Sequence, residues 1–356
     1  MHAEAGPPHT DGAAPPTAEL VASLLRPDAF SHPADHLELH ETHISWVILA
    51  GPFAYKIKKP VNLGFLDFTT PERRAQDCDD EVRLNRRLCP DVYLGVLQIV
   101  ERNGGHHVGG VGRPIEPVVW MRRLPEQGML PSLLKRGAVS PALVQQIAHR
   151  LAAFHDAATT GPGVDEYGSP ATIRANWDEN IAQTGPVVGR TLDAAMQAGL
   201  VAYVGRFLAE QRDLLERRVT AGRIREGHGD LHAASICVEG ERIHLFDCLE
   251  FAPRFRCSDV AAEVAFLAMD FDHFGRPDLG NAFVDAYVQA SGDGELRLLL
   301  PFYRTYRAYV RGKVASLRLL EGELSDAQAA AVVADARAYF ALACRYAGVS
   351  FAPGPP

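Results

Sequence analysis

Between residues 37 and 58 the chain reads LELHETHISWVILAGPFAYKIK, two or three β-rich runs separated at Glu41 to His43 and at Gly51-Pro52. Apolar and polar positions alternating at period two predict the first strands of an antiparallel sheet. The period then lengthens. Thr70-Pro71-Glu72, with proline at the first helical position, starts a helical run that continues through ERRAQDCDDEVRLNRRL to Cys89-Pro90. A glycine-rich hairpin at residues 103–105 and 109–110 follows, and then an apolar strand over residues 117–124. From Ser140-Pro141 onward Ala- and Leu-rich amphipathic segments dominate, at 140–158, 187–220, 258–271, 276–291, 294–320 and 325–347. One β-hairpin interrupts them, with strands at 236–238 and 243–246 and a turn at Glu239-Gly240.

This change of pattern near residue 124 predicts two parts, residues 18–123 and residues 124–350, without internal repeats. Residues 1–17 are rich in Ala, Pro and Gly with no apolar period, and residues 351–356 are similar, so both ends are expected to be disordered.

At 356 residues with 47% hydrophobic content the chain is long enough for two lobes with a sizeable core. Its formal charge of -8 argues against nucleic acid or an anionic membrane as partner, since either demands a basic footprint. The six cysteines are scattered, and the N-terminus has no apolar signal segment, which together predict a cytoplasmic protein with reduced thiols. No stretch is apolar over the length a membrane span requires.

The richest chemistry lies in HGDLHAASICVEGERIHLFDCLE, residues 228–250. His228-Gly229-Asp230 opens a loop, and Asp230 and Asp247 fall at the two ends of the predicted hairpin. Two carboxylates so placed suit phosphoryl transfer, where one steers the attacking hydroxyl and accepts its proton and another holds magnesium. Glu250, three residues on, is either a second metal ligand or the partner of a nearby arginine. A rival reading gathers His228, His232, His244 and the neighbouring cysteines around zinc, but Gly229 and Asp230 make the His-x-x-x-His pair a loop rather than one helix face. There is neither GxxxxGK[ST] nor GxGxxG, which argues against P-loop and Rossmann enzymes.

The His-Gly-Asp loop, the hairpin and the LFDCLEF that follows resemble the aminoglycoside phosphotransferase-like branch of the protein-kinase-like fold. The resemblance extends to modules that in some proteins precede a P-loop ATPase domain, which makes a separately encoded ATPase a candidate partner. It implies an α+β, two-lobe architecture: a small antiparallel β lobe with one helix, and a large, mainly helical lobe. It further implies a small-molecule kinase using ATP and magnesium, with a hydroxylated small molecule as acceptor.

Carried over residue by residue, Asp230 is the catalytic carboxylate, Asp247 the magnesium ligand, Lys56 the lysine of the third strand, Glu81 its helix partner, and the backbone near Met121 the adenine contact. Ser235 stands where the family has a metal-binding Asn, and a hydroxyl is a shorter, poorer magnesium ligand. That departure supports an alternative, a nucleotide-binding pseudokinase with a regulatory or scaffolding role. The resemblance makes Asp259 scaffold. The residues themselves also allow plainer roles: Lys56, Lys58 and Lys59 as solvated edge-strand charges, and Asp77 and Asp79 as part of a solvated acidic face. Tyr303, Arg307 and Arg311 share a helical stripe that either binds an acidic or phosphorylated substrate, lies solvated or pairs with Asp270, Asp272 and Asp278.

Overall fold

The computed structural model describes residues 17–64, 66–320 and 324–350. The expected disordered ends therefore lie outside the described residues, except for Thr17, whose hydroxyl accepts from Leu20 N and caps α1 (Ala18–Ser23). The chain divides into two compact units, the first running to Pro125 and taking back Phe246–Ala252, the second comprising Glu126–Leu245 and the residues from Pro253 on.

The first unit is a six-stranded antiparallel sheet with two α-helices, the short α1 and a longer one. Its strands are β1 (Leu37–Glu41), β2 (Ser45–Ala50) and β3 (Phe53–Lys58). After α2 (Pro71–Asn85) come β4 (Tyr93–Arg102), β5 (Gly105–Val108) and β6 (Arg113–Arg122). The order across the sheet is β1-β2-β3-β6-β4-β5, so β3 is interior, and the edge-strand account of its lysines is overturned. Alternation along β3 sends Tyr55 and Ile57 into a core shared with Ile48, Val118, Val21 of α1 and its C-cap residue Leu24. The opposite side of the sheet carries Val119 and Tyr93, which pack on Cys78 and Val82 of α2. Arg74 on α2 reaches Glu116 on β6 through two charged hydrogen bonds, both side chains fully buried. Thr70 caps α2 through its hydroxyl, and Pro71 occupies the first turn as the sequence predicts.

The second unit is mainly helical. It begins with α3 (Leu130–Lys135), α4 (Pro141–Ala157), α5 (Pro170–Thr184), α6 (Ala194–Glu210) and α7 (Arg212–Thr220). Then come β7 (Ile224–Glu226), β8 (Ile236–Glu239), β9 (Arg242–Leu245), α8 (Pro253–Arg256) and β10 (Cys257–Asp259). The chain closes with α9 (Val260–His273), α10 (Pro277–Ser291), α11 (Leu296–Leu317) and α12 (Asp326–Ala347).

Helix α9 is buried from Val260 to Phe271 and packs against α10 and α11, which makes it the central helix of this unit. Helix α5, like α1 and α3, was not announced by the apolar period, and little besides Ile173 and Trp177 marks its buried face. The amphipathic segment expected over 187–220 forms two helices, starting at Ala194 and broken at Gln211. The hairpin β8–β9 forms in the expected place, with its turn at Gly240 and Glu241 and Gly240 in the left-handed region, φ 61°.

Candidate active site

In the first unit the alternation of β3 places Lys56 and Lys58 on one face, toward the carboxylates of α2. Lys56 Nζ donates to Glu81 Oε1 at 2.8 Å and to Asp247 Oδ1 at 2.9 Å. Burial alone would push the Lys56 ammonium down, but Asp247, Glu81 and Glu250 together hold it well above the ordinary lysine value. Lys58 is fully buried. Its Nζ meets Asp77 at 2.8 Å, Glu81 through the oxygen Lys56 does not use, and Glu250.

Asp77 is thus a buried ion-pair partner and not part of the solvated face, whereas Asp79 is exposed. Glu250 is likewise buried, and its partner is a lysine rather than the arginine considered from sequence. Burial pushes the Glu250 carboxyl up to about 8 against the pull of Lys58. Among the described residues, Asp77, Glu81 and Glu250 have the spacing of a metal-binding group. The Lys58 ammonium contacts all three and occupies the place a cation would take.

The segment carrying Asp247 and Glu250 packs within this same unit. Phe246 joins the cluster around Tyr93 and Val119. Asp247 N donates to the Tyr93 hydroxyl at 3.1 Å, and Cys248 N donates to Asn85 Oδ1 at 2.8 Å. Asp247 itself has φ 65°, an uncommon conformation for a residue with a side chain, and its carboxylate is 59% exposed. A carboxylate with one oxygen on Lys56 and more than half of its side chain exposed fits a magnesium ligand. Met121 is paired on both sides, with Ala54 and with Tyr93, and its side chain packs into the same cluster.

In the second unit Asp230 sits in the loop ahead of β8. His228 is buried, and its Nδ1 accepts from Asp230 N at 3.3 Å. His232 uses Nδ1 to accept from Ala234 N, while its Nε2 lies 3.5 Å from Asp230 Oδ2. The Ser235 hydroxyl accepts from His232 N and donates to the carbonyls of Asp230 and His232, closing the loop on itself. Burial pushes the Asp230 carboxyl up, but His232, Arg311 and Arg307 outweigh it and hold the group well below the usual carboxylate range.

The loop is braced from outside by residues that sequence reasoning did not assign. Glu263 accepts from Gly229 N at 2.6 Å and from His155 Nε2 at 2.8 Å, and His155 in turn meets the Tyr287 hydroxyl at 2.7 Å. Asp270 accepts from Ala233 N at 2.7 Å. Arg307, one of the helical-stripe residues, is buried and donates to Gly229 O at 3.0 Å, its guanidinium over the Phe266 ring. Glu263 and Asp270 had a legible signal, since an acid inside the apolar run VAAEVAFLAMD must be buried and therefore partnered. Asp259 caps α9 through Ala261 N and takes both arms of Arg218 at 2.7 and 2.8 Å, the scaffold role expected of it.

Comparison with known proteins gives the fold and the family. The chain is 37% identical over 288 residues to uncharacterised proteins of Mycobacterium tuberculosis and Mycobacterium bovis. That match covers 81% of this chain and 56% of each relative, so the chain spans about half the length of the curated relatives it matches. Among solved structures, a choline/ethanolamine kinase family protein from Mesorhizobium loti aligns with TM-score 0.51 at 15% identity, covering 93% of this chain and 98% of that one. The GDP complex of aminoglycoside 2'-phosphotransferase-IIIa aligns with TM-score 0.51 at 15% identity over 87% of this chain and 94% of that one. These likenesses show the protein-kinase-like fold: a small antiparallel sheet lobe and a helical lobe. No helix among the described residues is long and apolar enough to cross a membrane. The sequence signature of the phosphotransferase enzyme family matches residues 64–302, two thirds of the chain, and the chain belongs to that family.

Proposed function

We propose that this protein is an ATP- and magnesium-dependent kinase that transfers the γ-phosphoryl group to a hydroxyl of a small molecule. The observation that carries the reading is the Lys56, Glu81 and Asp247 constellation, a lysine fixed by a buried glutamate beside a solvent-facing carboxylate. In this reading Lys56 binds α- and β-phosphate oxygens while Glu81 keeps its ammonium in place. Asp247 holds magnesium, which when bound neutralises charge on the β- and γ-phosphates. Adenine pairs with the backbone beyond Arg123, since Met121 and Arg122 are paired within the sheet and Arg123 N donates to Pro52 O.

Asp230 orients the acceptor hydroxyl. The acceptor oxygen forms the new bond to phosphorus as the bond to the bridging oxygen breaks, ADP departs, and the hydroxyl proton passes to Asp230. A carboxylate held so far below its usual range is a weak base, so its contribution is mostly orientation, with proton transfer late.

The same assignment gives Ser235 and Glu250 supporting rather than metal-binding roles, because the hydroxyl is spent within its loop and the glutamate on Lys58. That commitment of Ser235 is also what favours the second reading, a nucleotide-binding pseudokinase without transfer. The test is the melting temperature of the full chain with ATP, with and without magnesium, alongside turnover on a panel of hydroxylated small molecules. Expected are a magnesium-dependent shift lost in Asp247→Ala and turnover abolished in Asp230→Ala with nucleotide binding spared. Turnover retained in both variants overturns the proposal, and a shift without any turnover selects the pseudokinase.

A further inference from the structure

The second unit contains a small concavity, with about 50 Å³ open to water, lined by α5, α8, β10 and α11. Its apolar wall is aromatic, with Trp177, Tyr303 and Tyr306 among the lining residues. Its polar chemistry is one-sided. Arg307 lines it, is buried, and has carbonyls for both hydrogen-bond partners, Gly229 O at 3.0 Å and Ala262 O at 3.4 Å. It forms no ion pair with any described carboxylate.

Trp177 is fully buried, and its Nε1 has no acceptor among the described residues. A buried N–H without an acceptor costs stability unless a bound group or water completes it. The Tyr306 hydroxyl accepts from Asn180 Nδ2 at 3.4 Å, which leaves its own proton to give.

The carboxylate lining this space is already committed. Asp259 is held by both arms of Arg218 and by Ala261 N. Glu179, beyond the lining, is likewise held by both arms of Arg254 at 2.7 and 3.0 Å. An ammonium entering here would find no carboxylate to replace its water, whereas an acid would meet an indole N–H, a phenol and a guanidinium that acts on Asp230 only at a distance and is in no ion pair. Arg307 also fixes the position relative to the chemistry, because the carbonyl it holds belongs to the residue preceding Asp230.

We propose that this concavity is the acceptor pocket and that it takes an alcohol carrying a carboxylate or phosphate group, bound through Trp177, Tyr306 and Arg307. The assignment rests on the kinase reading for the word acceptor, but its binding chemistry is measurable without nucleotide. The probes are glycerate and glycerol phosphate against choline and ethanolamine, titrated calorimetrically into the full chain. Expected is millimolar or tighter binding of at least one acid, and which acid binds tells the carboxylate from the phosphate.

Trp177→Phe keeps an aromatic ring and removes the N–H, and Tyr306→Phe removes only the hydroxyl. Each is expected to weaken the acid about tenfold, the worth of one hydrogen bond to a charged group. Neither should alter the melting shift given by magnesium and ATP. Amines binding as tightly as the acids, no acid binding in the millimolar range, or acid binding unchanged in both variants overturns the inference. Acid binding that responds to both variants in a protein indifferent to magnesium and ATP leaves the pocket standing and removes the kinase reading.

Discussion

Lys58 holds the second oxygen of Glu81, the carboxylate whose first oxygen holds Lys56. One buried glutamate is therefore shared by two lysines on the same face of β3, and the inner lysine fixes the orientation in which the outer one is presented. Burial pushes the Glu81 carboxyl up, but the two ammonium groups outweigh it and keep the group ionised.

Removing the inner lysine should be costly. Lys58→Met leaves Asp77, Glu81 and Glu250 facing one another without their shared cation, and breaking a buried ion pair from one side typically costs about 3–5 kcal/mol. Urea denaturation should show a loss of that order, with part of it recovered when Glu250→Gln is added. Lys56→Met, by contrast, removes a lysine that reaches the solvent-facing Asp247, so its loss should fall mainly on nucleotide binding. Equal stability losses in the two single variants would refute this division of labour.

How much of this was legible beforehand depended on whether a contact was local. The period-two run at Phe53 to Lys58 was enough to show that Lys56 and Lys58 share a face, and the Thr70-Pro71 start gave α2, on which the family resemblance pointed to Glu81. That β3 is interior was not legible, because β6 comes from residues 113–122 and its pairing with β3 is long-range. For the same reason Asp77 looked like a surface acid: its burial depends on Lys58 and on Glu250, far away in sequence. The Asp230 loop and the hairpin were local and were read directly, whereas the bracing by Glu263, Asp270 and Arg307 arrives from helices downstream. Tyr93, which accepts from Asp247 N, had no signal at all, since a buried tyrosine at a strand start is ordinary.

Stability should depend on pH through two glutamates of opposite sign. Glu263 is pushed up by burial, but His155, His228 and Gly229 N outweigh this and bring it down to about 2, against about 4.3 in an unfolded chain. Its folded value is depressed, so its contribution, on the order of 3 kcal/mol, is present above pH ~4.3 and is lost as pH falls toward 2. Glu250, raised to about 8, runs the other way: its contribution is complete below pH ~4.3 and is lost as pH rises toward 8. Denaturation across that range should show a fall on each side. Glu263→Gln should flatten the acidic limb and Glu250→Gln the alkaline one, and limbs unchanged in both variants would contradict the assignment.

Ser235 gives a prediction about specificity of position rather than charge. Its hydroxyl serves three backbone groups inside the Asp230 loop, and the residue is buried. Ser235→Asn therefore displaces a satisfied loop contact without offering an evident route to the metal. Stability should drop by about 1–3 kcal/mol, the cost of stranding buried polar groups, and the magnesium dependence of nucleotide binding should stay as in the wild type. A marked gain in magnesium affinity and turnover would instead mean that the native residue is the one weak point of a working site.

Gly227→Ala separates bracing of the loop from its chemistry. Residue 227 has ordinary backbone geometry, but a Cβ added there would overlap Glu263 Oε1, the oxygen that accepts from Gly229 N. Glu263 can give way only by leaving that N–H or by letting go of His155, and both are buried. The variant keeps Asp230, His228 and His232 unchanged in identity, yet it should shift the peptide that carries Asp230. A displacement near one ångström of a positioning group costs on the order of a hundredfold in rate. Turnover should therefore fall by about that much, while the nucleotide binding proposed for Lys56 and Asp247, which lie in the first unit, should be untouched. The measurement is kcat alongside the melting shift with magnesium and ATP. A proportionate loss of both would place the damage in the fold as a whole, and wild-type kcat would mean that the Glu263 contact does not position the loop.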